Sequence, residues 1–127
     1  MSLLERAQAY LSAIEARADL SAYFCPDVVQ REFPNLLVRN GAVRDLAQLM
    51  EGAEKGKHVL TGETYEIVNA LEEGDRVALE VIWTGRLAIP LGTLAAGAEI
   101  KANFGVFLTF RDGRICRQDN YDCFEPF

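Results

Sequence analysis

IKANFGVFLTFRDGRICRQDNYD (residues 100–122) decides the fold of this 127-residue chain. Its first half alternates without a break. Ile100, Ala102, Phe104, Val106, Leu108 and Phe110 are apolar, with Lys101, Asn103, Gly105, Phe107, Thr109 and Arg111 between them. Such a period of two marks a strand with one buried face, because successive side chains point to opposite sides of a sheet. RDGR (111–114) follows, carrying the Asp-Gly pair that two-residue hairpin loops favour. The chain then returns as a strand loaded with Arg114, Arg117, Gln118, Asp119, Asn120 and Asp122. Either this closing strand is a solvated edge, or its inner side chains line something that needs charge.

Working outward, residues 76–83 repeat the pattern with Val77, Leu79, Val81 and Trp83 on one face. Strands are expected at roughly 59–72, 76–88, 99–111 and 114–123, with EEGD (72–75) as a tight turn and IPLGTLAAGA (89–98) as a longer loop. Upstream the period changes. Ser2 and Glu5 have the spacing of a capping box, and Leu4, Ala7, Leu11, Ile14 and Ala18 form an apolar stripe, predicting a helix over 3–17. A short second helix is expected over 18–24, with Asp19 as cap, stopping before Pro26. DVVQREF (27–33) is β-rich and ends at Pro34. Within 40–57, Val43, Leu46, Ala47 and Met50 predict a third helix after a turn. Helices followed by an antiparallel meander is the α+β layout, here in one domain spanning 1–127. A curved sheet with helices across one face leaves a hollow of the kind small ligands occupy.

What the closing strand presents to that hollow depends on register. Phe110 and Ile115 share a face across the RDGR turn, and period two carried onward from Ile115 places Arg117, Asp119 and Tyr121 inside. A single β-bulge would reverse the parity and substitute Gln118, Asn120 and Asp122.

Composition removes several classes of function. With 13 basic and 19 acidic residues the chain has a net charge of −6, which argues against nucleic acid as a partner. No apolar run approaches the roughly 20 residues of a membrane span. MSLLERAQ lacks the basic and apolar regions of a secretory leader, so a cytoplasmic location is expected. Cys25, Cys116 and Cys123 are odd in number and lack a C-x-x-C spacing, which signals neither a disulfide framework nor zinc. With one histidine, His58, and no carboxylates at ligand spacing, no metal and no cofactor is expected. Ile82 and Phe107, beside Gly105 and Thr109, put apolar groups on the outer sheet face, which predicts a homodimer through that face.

AQAYLSAIEARADLSAYFCPDVV (7–29), EFPN (32–35), NGAVRDL (40–46) and VFLTFRDGRICRQDNYD (106–122), in this order and spacing, resemble the SnoaL-like branch of the nuclear transport factor 2-like superfamily. That superfamily also holds ketosteroid isomerases, scytalone dehydratases, limonene-epoxide hydrolases and polyketide cyclases. The resemblance implies a cone-shaped half-barrel of about three helices on a curved sheet, commonly dimeric through the sheet's outer face. It also implies site residues. Tyr10 matches the oxyanion-binding tyrosine of ketosteroid isomerases. Glu32 stands one residue before the proton-shuttling position, which Phe33 occupies, and Gly105 stands where their protonated aspartate would fall. SnoaL-like cyclases use an acid on the closing strand, a place Asp119 or Asp122 fills. Arg117 with Asp119 suggests the aspartate–arginine pattern of the epoxide hydrolases.

The candidate catalytic residues are therefore Glu32, Asp119, Arg117, Tyr121 and Tyr10. A carboxylate in an apolar cavity has its pKa raised toward neutrality, Arg117 would set the acid's charge state, and either tyrosine would donate to a developing oxyanion. Trp83, Phe104, Val106, Leu108, Asn35 and Asp122 are the candidate ligand contacts. The expected activity is cofactor-independent proton transfer, such as isomerisation, cyclisation or dehydration, on a small apolar carbonyl, enol or epoxide. Two other readings stay open: a dimeric, non-catalytic binding module for a hydrophobic metabolite, and an interaction domain whose cavity is incidental.

Overall fold

Ser2 and Glu5 fix the start of the first helix in the computed structural model, which describes residues 1–127. The Ser2 hydroxyl accepts the Glu5 N–H at 3.0 Å and the Glu5 carboxylate accepts the Ser2 N–H at 3.1 Å, a closed capping box. Helix α1 (Leu3–Glu15) turns Ala7, Tyr10 and Leu11 into the core. It ends at Arg17, whose φ of 57° is left-handed. The Arg17 and Ala18 N–H groups donate to Ile14 and Ala13 carbonyls, the paired bonds of a Schellman ending.

The expected second helix is absent. Only a 3₁₀ turn, Ser21–Tyr23, forms there, and Phe24 already belongs to strand β1 (Phe24–Glu32). The stretch between the Schellman ending and Pro26 is too short to repay helix nucleation. The Asp19 carboxylate instead accepts the Ser21 N–H at 2.9 Å, and Phe24 pairs with Ile115. A three-residue strand, β2 (Ala42–Arg44), occupies part of the expected third helix by pairing antiparallel with Gln30–Glu32. The helix itself, α2 (Leu46–Val59), begins one capping box later, where Asp45 and Gln48 exchange side-chain-to-backbone bonds. The chain thus has two α-helices rather than about three.

Strands β3 (Leu60–Glu73), β4 (Arg76–Leu87), β5 (Glu99–Arg111) and β6 (Arg114–Phe124) complete a six-stranded sheet in the order β2-β1-β6-β5-β4-β3. Every neighbouring pair is antiparallel except β1 and β6. Both helices lie on one face of the curved sheet. Asp112 and Gly113 have φ of 53° and 75°, as a two-residue loop between right-twisted strands demands. The inner face of β4 and β5 is as the alternation predicts: Val77, Leu79, Val81, Trp83, Ile100, Ala102, Phe104, Val106, Leu108 and Phe110 are buried together. No helix is long and apolar enough to cross a membrane.

Register on β6 departs from simple alternation. Phe110 pairs with Ile115, but Thr109 pairs with Arg117, so Cys116 is an extra residue on β6. Its thiol lies 3.3 Å from the Thr109 carbonyl. This bulge inverts the parity of everything downstream. Gln118, Asn120 and Asp122 oppose the inward residues Leu108, Val106 and Phe104, whereas Arg117, Asp119 and Tyr121 oppose the outward Thr109, Phe107 and Gly105. The expected inward placement of Arg117, Asp119 and Tyr121 is therefore corrected.

Candidate active site

Between the helices and the sheet lies a cavity of about 310 Å³. Its apolar wall comes from Leu11 and Ile14 of α1, Phe24 of β1, Leu49 of α2, and Phe104 and Val106 of β5. Its polar wall comes from the β1–β2 and β6 side, where Gln30, Arg44, Gln118 and Asn120 face inward, and from Glu63 and Tyr65 of β3. Small-molecule sites combine these features, an apolar body with few polar groups aimed at one place.

The polar groups form two directed networks. In the first, the Tyr10 hydroxyl donates to Gln118 Oε1 at 2.9 Å, and Gln118 Nε2 donates to Asn120 Oδ1 at 2.9 Å. Both carbonyl oxygens are thus engaged, which leaves the Asn120 amide N–H groups as donors. Burial pushes the Tyr10 phenol far above its ordinary pKa, with the Gln118 hydrogen bond and Glu63 as smaller influences of opposite sign. Tyr10 is neutral at any ordinary pH. In the second network, Arg44 Nη1 donates to Glu32 Oε1 at 2.8 Å and to Gln30 Oε1 at 3.1 Å. Asn35 Nδ2 donates to the other Glu32 oxygen at 2.8 Å. Glu32 is held as an ion pair on the inner face, oriented from both sides.

Asp122 follows Asn120 on that face. Its Oδ1 is buried with no hydrogen-bond partner. Burial raises its pKa to about 7, with the charge of Glu32 adding to the rise and Arg44 and Asn120 opposing it. A carboxyl group poised at neutrality beside a second carboxylate is an environment suited to moving protons in either direction. On β3, Glu63 Oε1 accepts from the Tyr65 hydroxyl at 2.8 Å and from Trp83 Nε1 at 3.1 Å. Burial, then Glu63, raises the Tyr65 phenol well above its usual range. No group of three or more His, Cys, Asp and Glu side chains comes together in a way that could hold a metal ion.

The family model of the SnoaL-like domain matches residues 7–118. The chain belongs to the SnoaL-like family. Its fold recurs in solved structures at low sequence identity. IdmH of Streptomyces antibioticus, a candidate polyketide cyclase, is 18% identical with a TM-score of 0.78, over 96% of this chain and 92% of that one. A candidate polyketide cyclase of Xanthomonas campestris is 24% identical with a TM-score of 0.75, over 94% and 88%. A protein of ketosteroid isomerase-like fold from Catenulispora acidiphila, in complex with trimethylamine, is 18% identical with a TM-score of 0.70, over 92% and 84%. No protein of curated function matches this chain in sequence.

The structure distributes the expected site residues of this SnoaL-like protein over three places. Tyr10, Phe104 and Val106 line the cavity, and Glu32, Asn35 and Asp122 gather beside its polar wall, around Arg44 and Asn120. Trp83 and Leu108 are core residues outside the lining; the Trp83 indole stacks on Phe104 with ring centroids 5.3 Å apart. Arg117, Asp119 and Tyr121 are brought together on the opposite face of the sheet. There Asp119 accepts from Arg31 at 2.9 Å and Arg117 at 3.0 Å, and Tyr121 stacks on Phe33 at 4.4 Å. Burial raises the Asp119 pKa, but the bonds and charges of Arg117 and Arg31 outweigh it and hold the carboxyl below its ordinary value. Asp119 is thus a fixed anion. Arg44, Glu63 and Tyr65 went unmarked by sequence reasoning. Alternation through Glu63, Tyr65 and Ile67 was the available signal for two of them, whereas Arg44 lies in the strand hidden within an expected helix.

Proposed function

We propose that this SnoaL-like protein is a cofactor-independent enzyme that moves a proton on a small, largely apolar carbonyl, enol or epoxide compound held in the cavity. Asp122 exchanges the proton. As a carboxylate it removes one from carbon adjacent to the carbonyl, and as an acid it returns one elsewhere in the substrate. Glu32, fixed by Arg44 and Asn35, is the neighbouring carboxylate whose charge adds to the rise in the Asp122 pKa. The Asn120 amide, oriented through Gln118 by Tyr10, donates to the oxygen on which negative charge develops. The supporting observation is the buried Asp122 carboxyl with an unpartnered oxygen beside this donor chain. The SnoaL-like match and the cyclase-described neighbours support a small-molecule, enzyme-like role.

Proton exchange is the readout that needs no knowledge of the physiological substrate. 2-Tetralone in deuterated buffer is expected to exchange its α-hydrogens faster with the protein than without it, as followed by proton NMR. Asp122→Asn is expected to remove the acceleration by at least about 100-fold, the scale of a lost general base. If ligand binds but Asp122→Asn leaves exchange unchanged, Asp122 is not the base. If ligand binds and the wild type does not accelerate exchange, the dimeric binding module, which the same apolar wall would also suit, becomes the better reading.

A further inference from the structure

The charge of the cavity wall runs against that of the whole chain. Acidic residues outnumber basic ones 19 to 13, yet Arg17, Arg44 and Lys57 line the cavity against Glu63 alone. Arg44 is neutralised by Glu32 at 2.8 Å and Lys57 lies 2.8 Å from Glu54. Glu63 is engaged by Tyr65 and Trp83. Arg17 makes no ion pair. One of its N–H groups donates to the Leu60 carbonyl, and the rest of its five-donor fork remains available.

Arg17 also sits where its own backbone favours another residue. Its φ of 57° closes the Schellman ending of α1, a position glycine takes without strain. Arginine there is conformationally unfavourable, and what it adds is the guanidinium. Facing it, α2 presents Gly52, Ala53 and Gly56 to the cavity. A Cβ added at Gly52 or Gly56 would meet nothing within 4 Å, so no packing neighbour requires glycine at either position. Missing side chains on this helix keep space open beside Arg17 and Lys57. Leu60, to which Arg17 is tethered, starts β3, and Arg44 ends β2; these strands are the two opposite edges of the sheet. A ligand in the cavity therefore has Arg17 toward the β3 edge and the polar wall of Arg44, Gln30 and Asn120 toward the β2 edge.

We infer that the ligand is anionic, an apolar ring compound whose carboxylate is held by Arg17. This rests on the cavity being the ligand site, as proposed above. Naphthalene-2-carboxylate and naphthalene-2-carboxamide, equal in shape and different in charge, separate the two ideas by calorimetric titration of the full chain. The carboxylate is expected to bind about tenfold more tightly, on the scale of a charge-assisted hydrogen bond, and to lose that advantage in high salt. Arg17→Gly is expected to abolish most of the preference by weakening the carboxylate far more than the carboxamide. Its melting temperature is expected to hold or rise, because glycine suits the left-handed position. Equal binding of the two probes overturns the anionic ligand and leaves the cavity reading standing. A preference that survives Arg17→Gly overturns the role of Arg17, as does a lowered melting temperature with the preference intact. Binding of neither probe overturns both readings.

Discussion

Asp122 is the residue at which stability and chemistry pull apart. A carboxyl group whose folded pKa is raised from 3.8 to about 7 destabilises the fold once it ionises. Below its ordinary pKa the proton is held in both folded and unfolded chains, and the group takes nothing from stability. As pH rises toward 7 the unfolded chain releases the proton while the folded chain keeps it, so stability declines. Above that the folded chain carries a buried anion and the loss is complete, with an upper bound on the order of 4 kcal/mol. The carboxylates with lowered pKa, Asp119 among them, act the other way and only when pH falls through their own acidic range. A comparison of pH 5 with pH 8 therefore isolates the Asp122 contribution from theirs. Urea unfolding is expected to show the wild type less stable at pH 8 than at pH 5, with Asp122→Asn flatter and more stable than wild type at pH 8. Equal wild-type stability at the two pH values would mean that the Asp122 carboxyl is not shielded from water. Sequence alone brought Asp122 into consideration but could not rank it, because what distinguishes it from Asp119 is the face of the strand and not the residue type.

That difference belongs to one element, β6, and to one residue in it. Alternation through β4 and β5 reads correctly from the sequence because both strands bury a uniform face, and apolar residues declare which face it is. On β6 neither face is uniformly apolar after Ile115, so a slip of one residue leaves no trace in the pattern. Cys116 supplies that slip. The missed strand β2 and the lost second helix have a similar origin: three residues pair because Gln30–Glu32 lie beside them, and tertiary pairing decides what local propensity leaves undecided. Deleting Cys116 tests the bulge directly. Without it, Arg117 follows Ile115 directly and still pairs with Thr109, so Gln118, Asn120 and Asp122 stay opposite Leu108, Val106 and Phe104. Removing the extra residue is therefore expected to change stability by no more than about 2 kcal/mol. The expected outcome is soluble, folded protein with a melting temperature close to that of the wild type. Cys116→Ser, which keeps the extra residue, should change stability by no more than about 1 kcal/mol. A large drop in melting temperature or loss of soluble protein in the deletion variant would show that Cys116 is not a dispensable extra residue in the ladder.

At the scale of the molecule, the sheet has two used faces. The helices cover one; the other carries Ile82, Phe107 and Tyr121, with Phe107 51% exposed in the single chain. The same face holds the Arg31–Asp119–Arg117 network, in which Asp119 is largely covered by its two arginines, and the Phe33–Tyr121 stack beside it. Phe107 touches Tyr121 edge-on with centroids 5.8 Å apart, so the aromatic groups form one patch and not scattered points. An apolar strip rimmed by ordered charges on an otherwise solvated sheet is the form a protein interface takes. A second copy of the chain suits it, since a two-fold pair sets the patch against itself and can match each copy's network with groups of the other. We therefore propose a homodimer through this face, which would bury on the order of 800 Å² per partner if it is of ordinary size. Phe107→Glu combined with Ile82→Glu places two carboxylates on each side of that interface and leaves the inner core untouched. Sedimentation equilibrium is expected to report a dimer for the wild type and a monomer for the double variant, with circular dichroism unchanged. The cavity lies on the other side of the sheet, so the monomer should still bind naphthalene-2-carboxylate. A wild type that sediments as a monomer at tens of micromolar would leave the patch without the partner argued for it.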